Sequence, residues 1–353
     1  QPHILAYGDR ETNAYLAVRF VPTFGVLANL FTELRTRLPQ FEPRTMLDFG
    51  TGPGTAFWAA HHAWGASPAS ASQSKPSTSK GVQEGLGIDI SESMLQAAEG
   101  IYADHSNPES EMAHEASPIP RLEFQRYLTY GEQGRTYDMV VSAFTLSELP
   151  SDVIRQNTLE TLWAKTNDIL VLVDRGTTAG FKMMHEAREH FIKLAQKEAG
   201  SSVAGCHIVA PCPHERACPL IGTTSWCHFS QQIQRPRFMM NVKKGKDNTE
   251  DVQYTYLILR RGPRPSATPS SPSSTASTST VPQRLTLPDT EFESSAYEWS
   301  RMVFPPLKRG GHIITDSCTE QGQIIRRTFT KNDGRGDVWK DVRKIMWGDL
   351  LPY

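Results

Sequence analysis

The sequence predicts an α/β fold: a doubly wound, mostly parallel sheet carrying a Cys-rich insertion and a small C-terminal β unit. Three observations support it. Met46-Leu47-Asp48-Phe49-Gly50-Thr51-Gly52-Pro53-Gly54 is an apolar run ending in an acid and three alternate glycines, followed by a helix start at Thr55-Ala56-Phe57. Strand-length apolar runs then alternate with helical segments, the pattern that builds a parallel sheet from βαβ units. Asp168-Ile169-Leu170-Val171-Leu172-Val173-Asp174 is apolar throughout its interior, as a parallel strand covered on both faces should be.

The glycine turn narrows the ligand. Glycine tolerates positive φ and lets backbone approach a ligand, and the free N–H groups of the next helix face whatever lies over the turn. The dinucleotide fingerprint fails, because its third glycine would fall on Thr55. Asp-x-Gly-x-Gly-x-Gly resembles instead the first motif of the class I S-adenosylmethionine (SAM) methyltransferases, with their Rossmann-like sheet. A glycine turn without a ligand competes with this reading until context decides. Gly87-Ile88-Asp89 supplies that context, since an acid ending strand two is where such a fold binds ribose hydroxyls. Asp89 lies 35 residues after Gly54, against the ~20 of the usual unit. The Ser/Ala/Lys/Pro-rich stretch Ala66 to Gln83 accounts for the excess as a loop insertion. The resemblance implies a cofactor set of Asp48, Gly50, Thr51, Gly52, Gly54, Asp89 and Ser142.

The totals set limits. A chain of 353 residues holds one large domain with additions, or two domains. A net charge of −1 leaves any nucleic-acid contact to a local patch. No apolar run approaches the ~18 residues of a membrane span, so no membrane partner is expected. Five cysteines, odd in number and unevenly spaced, suit metal ligation better than a disulfide framework.

In chain order, residues 1–44 carry Tyr15, Val18, Phe20, Val26, Leu27, Leu30, Phe31 and Leu34 at helical spacing. Pro22 divides them into two helices. The sheet domain, 45–261, is expected to hold strand one around Leu47, strand two at Leu86–Ile90 and a helix at Ser93–Gly100. A second polar insertion, Tyr102 to Pro120, precedes strand three at Arg121–Phe124. Strand four is Tyr137–Ser142, strand five Asp168–Asp174, and Ala179–Ala199 a long amphipathic helix. Phe238–Val242 and Tyr254–Arg260 read as an antiparallel pair closing the sheet, after the Cys-rich insertion at 200–236. Residues 262–285, rich in Pro, Ser, Thr and Ala, read as a disordered linker. The C-terminal unit, 286–353, is expected to hold strands Gly311–Asp316 and Gln323–Thr330. Between Arg301 and Met346 ten Lys/Arg face five Asp/Glu, a net of +5. That is the footprint of RNA contact; an ordinary solvated surface explains the charge equally well.

The cysteines carry the remaining chemistry. Cys212 and Cys218 are six apart, Cys227 follows nine later, and Cys318 lies in the basic unit. No C-x-x-C pair occurs, so the usual zinc spacing is absent. Cys212 and Cys218 each precede a proline, as one cysteine does in a bacterial ferredoxin run. Four thiolates can hold a [4Fe–4S] cluster or a zinc ion, and buried inert thiols fit the spacing no worse. His207, His214 and His228 keep a mixed Cys/His zinc site open.

Ala210-Pro211-Cys212-Pro213-His214-Glu215…Cys218-Pro219, followed by Trp226-Cys227-His228-Phe229-Ser230-Gln231, resembles the methyltransferase-like family of the mitochondrial ribosomal small subunit. Further matches are Ser142…Leu146-Ser147-Glu148-Leu149, Val173-Asp174-Arg175-Gly176-Thr177, Gly311-His312-Ile313 and Arg343-Lys344…Trp347-Gly348-Asp349-Leu350. The resemblance implies a component or assembly factor of that subunit in the mitochondrial matrix. It would contact small-subunit rRNA and ribosomal proteins, with no homo-oligomer expected. It also implies a [4Fe–4S] cluster on Cys212, Cys218, Cys227 and Cys318, with zinc as the alternative and Cys206 as a structural thiol.

Catalysis is less well marked. Exocyclic-amine methylases carry Asn/Asp-Pro-Pro-Tyr/Phe after strand four, where this chain has Ser142-Ala143-Phe144-Thr145. No cysteine stands there as a nucleophile, and Glu148, the nearest candidate base, reads equally as a cap or salt-bridge residue. No catalytic residue is assigned. The expected role is SAM and cluster binding with little or no methyl transfer; the alternative is an active small-subunit rRNA methyltransferase.

Overall fold

The computed structural model describes residues 7–65, 81–106, 120–128, 134–198, 205–243, 247–265, 289–331 and 337–352. Two helices open the chain, α1 (Asp9–Val18) and α2 (Phe20–Arg37), bent by 54° at Arg19. The break precedes Pro22, which sits in the first turn of α2, where its missing N–H breaks no helical bond. Val26, Leu27, Leu30, Phe31 and Leu34 of α2 are buried, and α2 packs on α3 (Thr55–Trp64). Among the described residues no single helix is long and apolar enough to cross a membrane.

The main sheet comprises β1 (Thr45–Phe49), β2 (Glu84–Ile88), β3 (Arg121–Gln125), β4 (Tyr137–Ala143), β5 (Thr166–Arg175), β6 (Cys206–Ala210), β7 (Phe229–Gln234) and β8 (Thr249–Arg261). Its order is β3-β2-β1-β4-β5-β8-β6, with β7 also on β8. The first five strands pair in parallel. β8 runs antiparallel to β5, β6 and β7. Helices α4 (Glu92–Ser106), α5 (Asp152–Lys165) and α6 (Thr178–Glu198) complete the crossovers. β5 serves both faces, as the two-residue period of a strand requires. Ile169, Val171 and Val173 enter the layer with α2 and α3, whereas Leu170 and Leu172 enter the layer with α5 and α6. Strand order reverses between β1 and β4, which opens a crevice at their carboxyl ends.

Two expectations need correction. Phe238–Val242 is not a strand but the body of a short helix, α7 (Arg237–Lys243). Phe238 and Val242, four apart, face solvent while Met239 is fully buried, a helical and not an alternating pattern. The partners of β8 are instead β6 and β7, both within the expected Cys-rich insertion. Helix α4 also runs past Gly100 to Ser106, where Tyr102 donates its hydroxyl proton to the Pro120 carbonyl at 2.6 Å. Residues 66–80 and 107–119 of the two expected insertions, and 266–285 of the expected linker, lie outside the described residues.

The C-terminal unit adds α8 (Asp289–Ala296), β9 (Ser300–Met302), β10 (Leu307–Lys308), β11 (His312–Cys318), β12 (Ile324–Thr330), α9 (Asp337–Lys344) and β13 (Leu350–Leu351). A second, antiparallel sheet runs β10-β11-β9-β13, with β12 on β11. Met302, Ile313, Val342, Ile345 and Leu351 form its small core.

Arg301 joins this unit to the main sheet. It is 2% exposed; Nη2 meets Glu33 Oε1 of α2 at 2.5 Å, Nε donates to the Pro211 carbonyl and Nη1 to that of Gly348. Arg264 adds a second attachment, donating to the carbonyls of Ile208, Pro213 and Tyr297. Removing one partner of a buried ion pair leaves an uncompensated charge at a cost on the order of 3–5 kcal/mol. Arg301→Met is therefore expected to lower stability by up to that amount in a denaturant titration, since Glu33 keeps Arg37 at 3.5 Å. Adding Glu33→Gln, which removes the half of the pair left behind, should recover part of the loss.

Candidate functional site

The glycine turn lies at the switch point. Gly50, Gly52 and Gly54 all take positive φ, at 75°, 52° and 76°. Gly50 is required twice over, since a Cβ there would also fall 2.0 Å from Thr145 Oγ1. At Gly52 a Cβ would meet nothing within 4 Å, so this part of the turn faces open space. Asp89 ties the turn to the end of β2: Oδ2 accepts the Gly52 N–H and Oδ1 the Ser91 N–H, each at 2.9 Å. Asp48 works from below. It is 2% exposed and accepts the Thr51 hydroxyl at 2.7 Å. Burial pushes its carboxyl up to about 7; the Thr51 bond acts against this and the charge of Asp89 adds to it.

The expected cofactor residues thus divide into two groups. Gly50, Gly52 and Asp89 line an open cleft, whereas Asp48 and Thr51 brace its turn from within the fold. Gly54 caps α3 behind the turn. Ser142 is fully buried on β4, and its Oγ is among the buried polar atoms without a hydrogen-bond partner. The cleft wall at that strand end is made instead by Ala143, Phe144 and Thr145. Phe144 holds a φ of 60°, a costly conformation for a bulky residue, with its N–H on the Val173 carbonyl at 2.7 Å.

The cleft has a volume of about 1520 Å³ including its open mouth. On the β2–β3 side Ile90, Arg126, Tyr127 and Leu128 line it; beyond β4 come Glu148, Arg175 and Gln253. Tyr7, Tyr15 and Arg19 close it from the N-terminal segment, which sequence reasoning did not connect with the site. Tyr7 donates its hydroxyl proton to Glu148 Oε1 at 3.2 Å, and Arg175 lies 3.8 Å from the same oxygen. Burial raises the Glu148 carboxyl, while Tyr7 and Arg175 pull it back. Burial and Glu148 together push the Tyr7 phenol up to about 12. Glu148 is therefore engaged by two neighbours.

A second site lies across β8. Cys212, Cys218 and Cys227, from the segment between β6 and β7, meet Cys318 from the end of β11 around one small cavity of about 40 Å³. Phe181, Met184 and Arg188 of α6 and the buried Arg301 complete its wall. All four cysteines are free thiols. Burial raises the thiols of Cys218, Cys227 and Cys318, and the charges of neighbouring cysteines raise them further. Such a group resists ionisation unless a cation shares its charge. Among the described residues no three His, Cys, Asp or Glu side chains converge closely enough for a single metal ion. His214 Nε2 lies 3.2 Å from Cys318 Sγ. Cys206 is apart from the cavity, buried on β6 with its thiol on the Phe191 carbonyl at 3.3 Å.

The family described as mitochondrial small ribosomal subunit Rsm22 matches residues 9–352. The chain belongs to the Rsm22 family. One relative, the mitochondrial ribosome assembly protein METTL17 of Homo sapiens, is 33% identical over 348 residues. That match covers 99% of this chain and 64% of the human protein, so the chain spans less than two thirds of that relative's length. The mitochondrial ribosome assembly protein RSM22 of Saccharomyces cerevisiae is 22% identical, over 96% of this chain and 67% of its own. Among solved structures, the SAM-bound magnesium protoporphyrin IX methyltransferase of Synechocystis matches at 13% identity and a TM-score of 0.34. That match covers 74% of this Rsm22-family chain and 88% of the enzyme. The assignment of a methyltransferase-type sheet rests on the strand order and the switch-point turn described above.

Asp48 gives a pH prediction. Its folded pKa lies above its unfolded value of 3.8, so ionisation as pH rises between the two opposes folding. Asp48→Asn keeps an acceptor for Thr51 and removes that penalty. The stability gap in favour of the variant should widen as pH rises from about 4 to about 7 and stay level above that, by a few kcal/mol at most. Paired urea titrations measure the gap; one that does not change with pH would contradict the raised carboxyl.

Proposed function

We propose that the chain acts in assembly of the mitochondrial small ribosomal subunit, in the matrix, as a protein that binds SAM and a [4Fe–4S] cluster. It would contact small-subunit rRNA and carry out little or no methyl transfer. The convergence of Cys212, Cys218, Cys227 and Cys318 on one cavity carries this reading, since two segments far apart in sequence supply a four-thiol donor set. Membership of the Rsm22 family and the names of the human and yeast relatives support the ribosomal setting.

In the cleft, the Asp89 carboxylate at the end of β2 would take the ribose hydroxyls, and the turn at Gly50 and Gly52 would present backbone to the amino-acid end. Ile90 and Tyr127, 57% and 61% exposed, offer apolar surface for a purine. A bound cluster would supply metal–sulfur bonds between the β6–β7 segment and β11. Little turnover is supported by the environment of Glu148, held by Tyr7 and Arg175, and by Ser142-Ala143-Phe144-Thr145 after β4. The cleft does continue past Thr145 to Gln253, which leaves space for an acceptor and keeps rRNA methyl transfer as the alternative.

For rRNA, the exposed Lys308, Arg309, Lys331, Lys340, Arg343 and Lys344 would carry the contact. Arg301, part of the basic surplus in the sequence, adds nothing to this surface because it is buried on Glu33. Calorimetry with S-adenosylhomocysteine tests the cofactor. Asp89→Ala is expected to weaken binding by about tenfold or more, the scale of one lost charge-assisted contact. A wild type that does not bind would remove the cofactor from the proposal. Methyl incorporation into small-subunit RNA, abolished by Gly52→Arg, would replace the binding role with an enzymatic one.

A further inference from the structure

The cleft and the cysteine cavity share a wall. Val252 and Gln253 of β8 line the cleft, while Thr255, Tyr256 and Leu257 of the same strand line the cavity. Two hydrogen bonds tie the Cys227 segment to this wall. Thr255 donates its hydroxyl proton to the Cys227 carbonyl at 3.2 Å, and the Trp226 indole N–H donates to the Gly176 carbonyl at 3.0 Å.

Gly176 belongs to the turn between β5 and α6, next to Arg175 of the cleft. Its own N–H donates to the Gln253 carbonyl at 3.1 Å, so both faces of this peptide turn are held. The junction has no slack: a Cβ on Gly176 would fall 2.8 Å from the Gln253 carbonyl carbon. On its other side Trp226 stacks on His228, with ring centres 5.0 Å apart, and His228 meets the edge of Trp347 in the C-terminal unit at 4.6 Å. A packed path thus runs from the unit that carries Cys318, through His228 and Trp226, to the Arg175–Gln253 wall of the cleft.

We propose that occupancy of the cysteine cavity and occupancy of the cleft are thermodynamically linked through Trp226. Ligation of Cys227 holds its neighbour Trp226 against Gly176, and this fixes the turn that shapes the far wall of the cleft. Without ligation the segment between β6 and β7 loses that anchor and the wall relaxes. The two-state element is the cysteine segment, ligated or free, and both sites bias it. The inference rests on the cofactor and cluster assignments proposed above.

The test is calorimetry of S-adenosylhomocysteine binding to the anaerobically purified chain, loaded with cluster and after stripping with an iron chelator. The loaded form should bind about tenfold more tightly, within the usual range of coupling between sites. Trp226→Phe keeps a ring against His228 but removes the N–H donor; its loaded and stripped forms should agree within about twofold. Equal affinities in loaded and stripped wild type overturn the linkage and leave the cofactor assignment standing. No binding to loaded wild type overturns both. If circular dichroism shows that the stripped chain unfolds, the loaded protein alone decides. Chelator removal of the cluster, followed by its visible absorbance, must then be slower with S-adenosylhomocysteine in wild type and no slower in Trp226→Phe. Equal rates in wild type contradict the proposal.

Discussion

Four thiols around one apolar cavity constrain everything near them. Three come from the segment between β6 and β7 and the fourth from β11 in a separate sheet, so the cavity exists only when the two sheets are docked. Burial and the charges of neighbouring cysteines oppose the ionisation of Cys218, Cys227 and Cys318, and a shared cation would reverse that balance. With the proposed cluster bound, ligand binding would become folding free energy for the C-terminal unit, whose own described core is small.

The protein–protein part of the same junction is polar. Arg301 reaches Glu33 on α2, the Pro211 carbonyl beside Cys212, and the Gly348 carbonyl near the C terminus. Burial alone would raise the Glu33 carboxyl and lower the Arg301 guanidinium; their pairing reverses both directions. A buried pair of this kind is weak evidence for stability, because desolvation offsets most of the attraction. What it supplies is geometry: it fixes β9 against the cysteine segment, which brings Cys318 of the adjoining β11 to the cavity. The cleft depends on the same segment less directly, through β8 and the Gly176 turn.

The parallel half of the sheet was legible in sequence because its signals are local. An apolar run, an acid and alternate glycines define β1 and its turn, and β5 announces burial by composition alone. The antiparallel half was harder to read. Cys206-His207-Ile208-Val209-Ala210 is buried throughout and forms β6, but its cysteine and histidine suggested chemistry and not a strand. Phe229–Gln234 has the polar composition of an exposed segment and becomes β7 through pairing with β8. At the site, Gly50, Gly52 and Asp89 were readable because a turn and a strand end require them. Tyr7, Tyr15 and Phe144 were not, since tertiary packing alone brings them to the cleft. Ser142 lies elsewhere than its place in the sequence suggests: strand four ends near it, but β4 is covered on both faces there and the residue is fully buried.

The measurement that tests the central claim most directly is iron and acid-labile sulfide per chain after anaerobic purification, with Cys318→Ser alongside wild type. About four of each in wild type, lost or severely depleted in the variant, is the predicted result, because Cys318 is the ligand from the second sheet. Zinc without sulfide, or a full complement of iron and sulfide in Cys318→Ser, would contradict it.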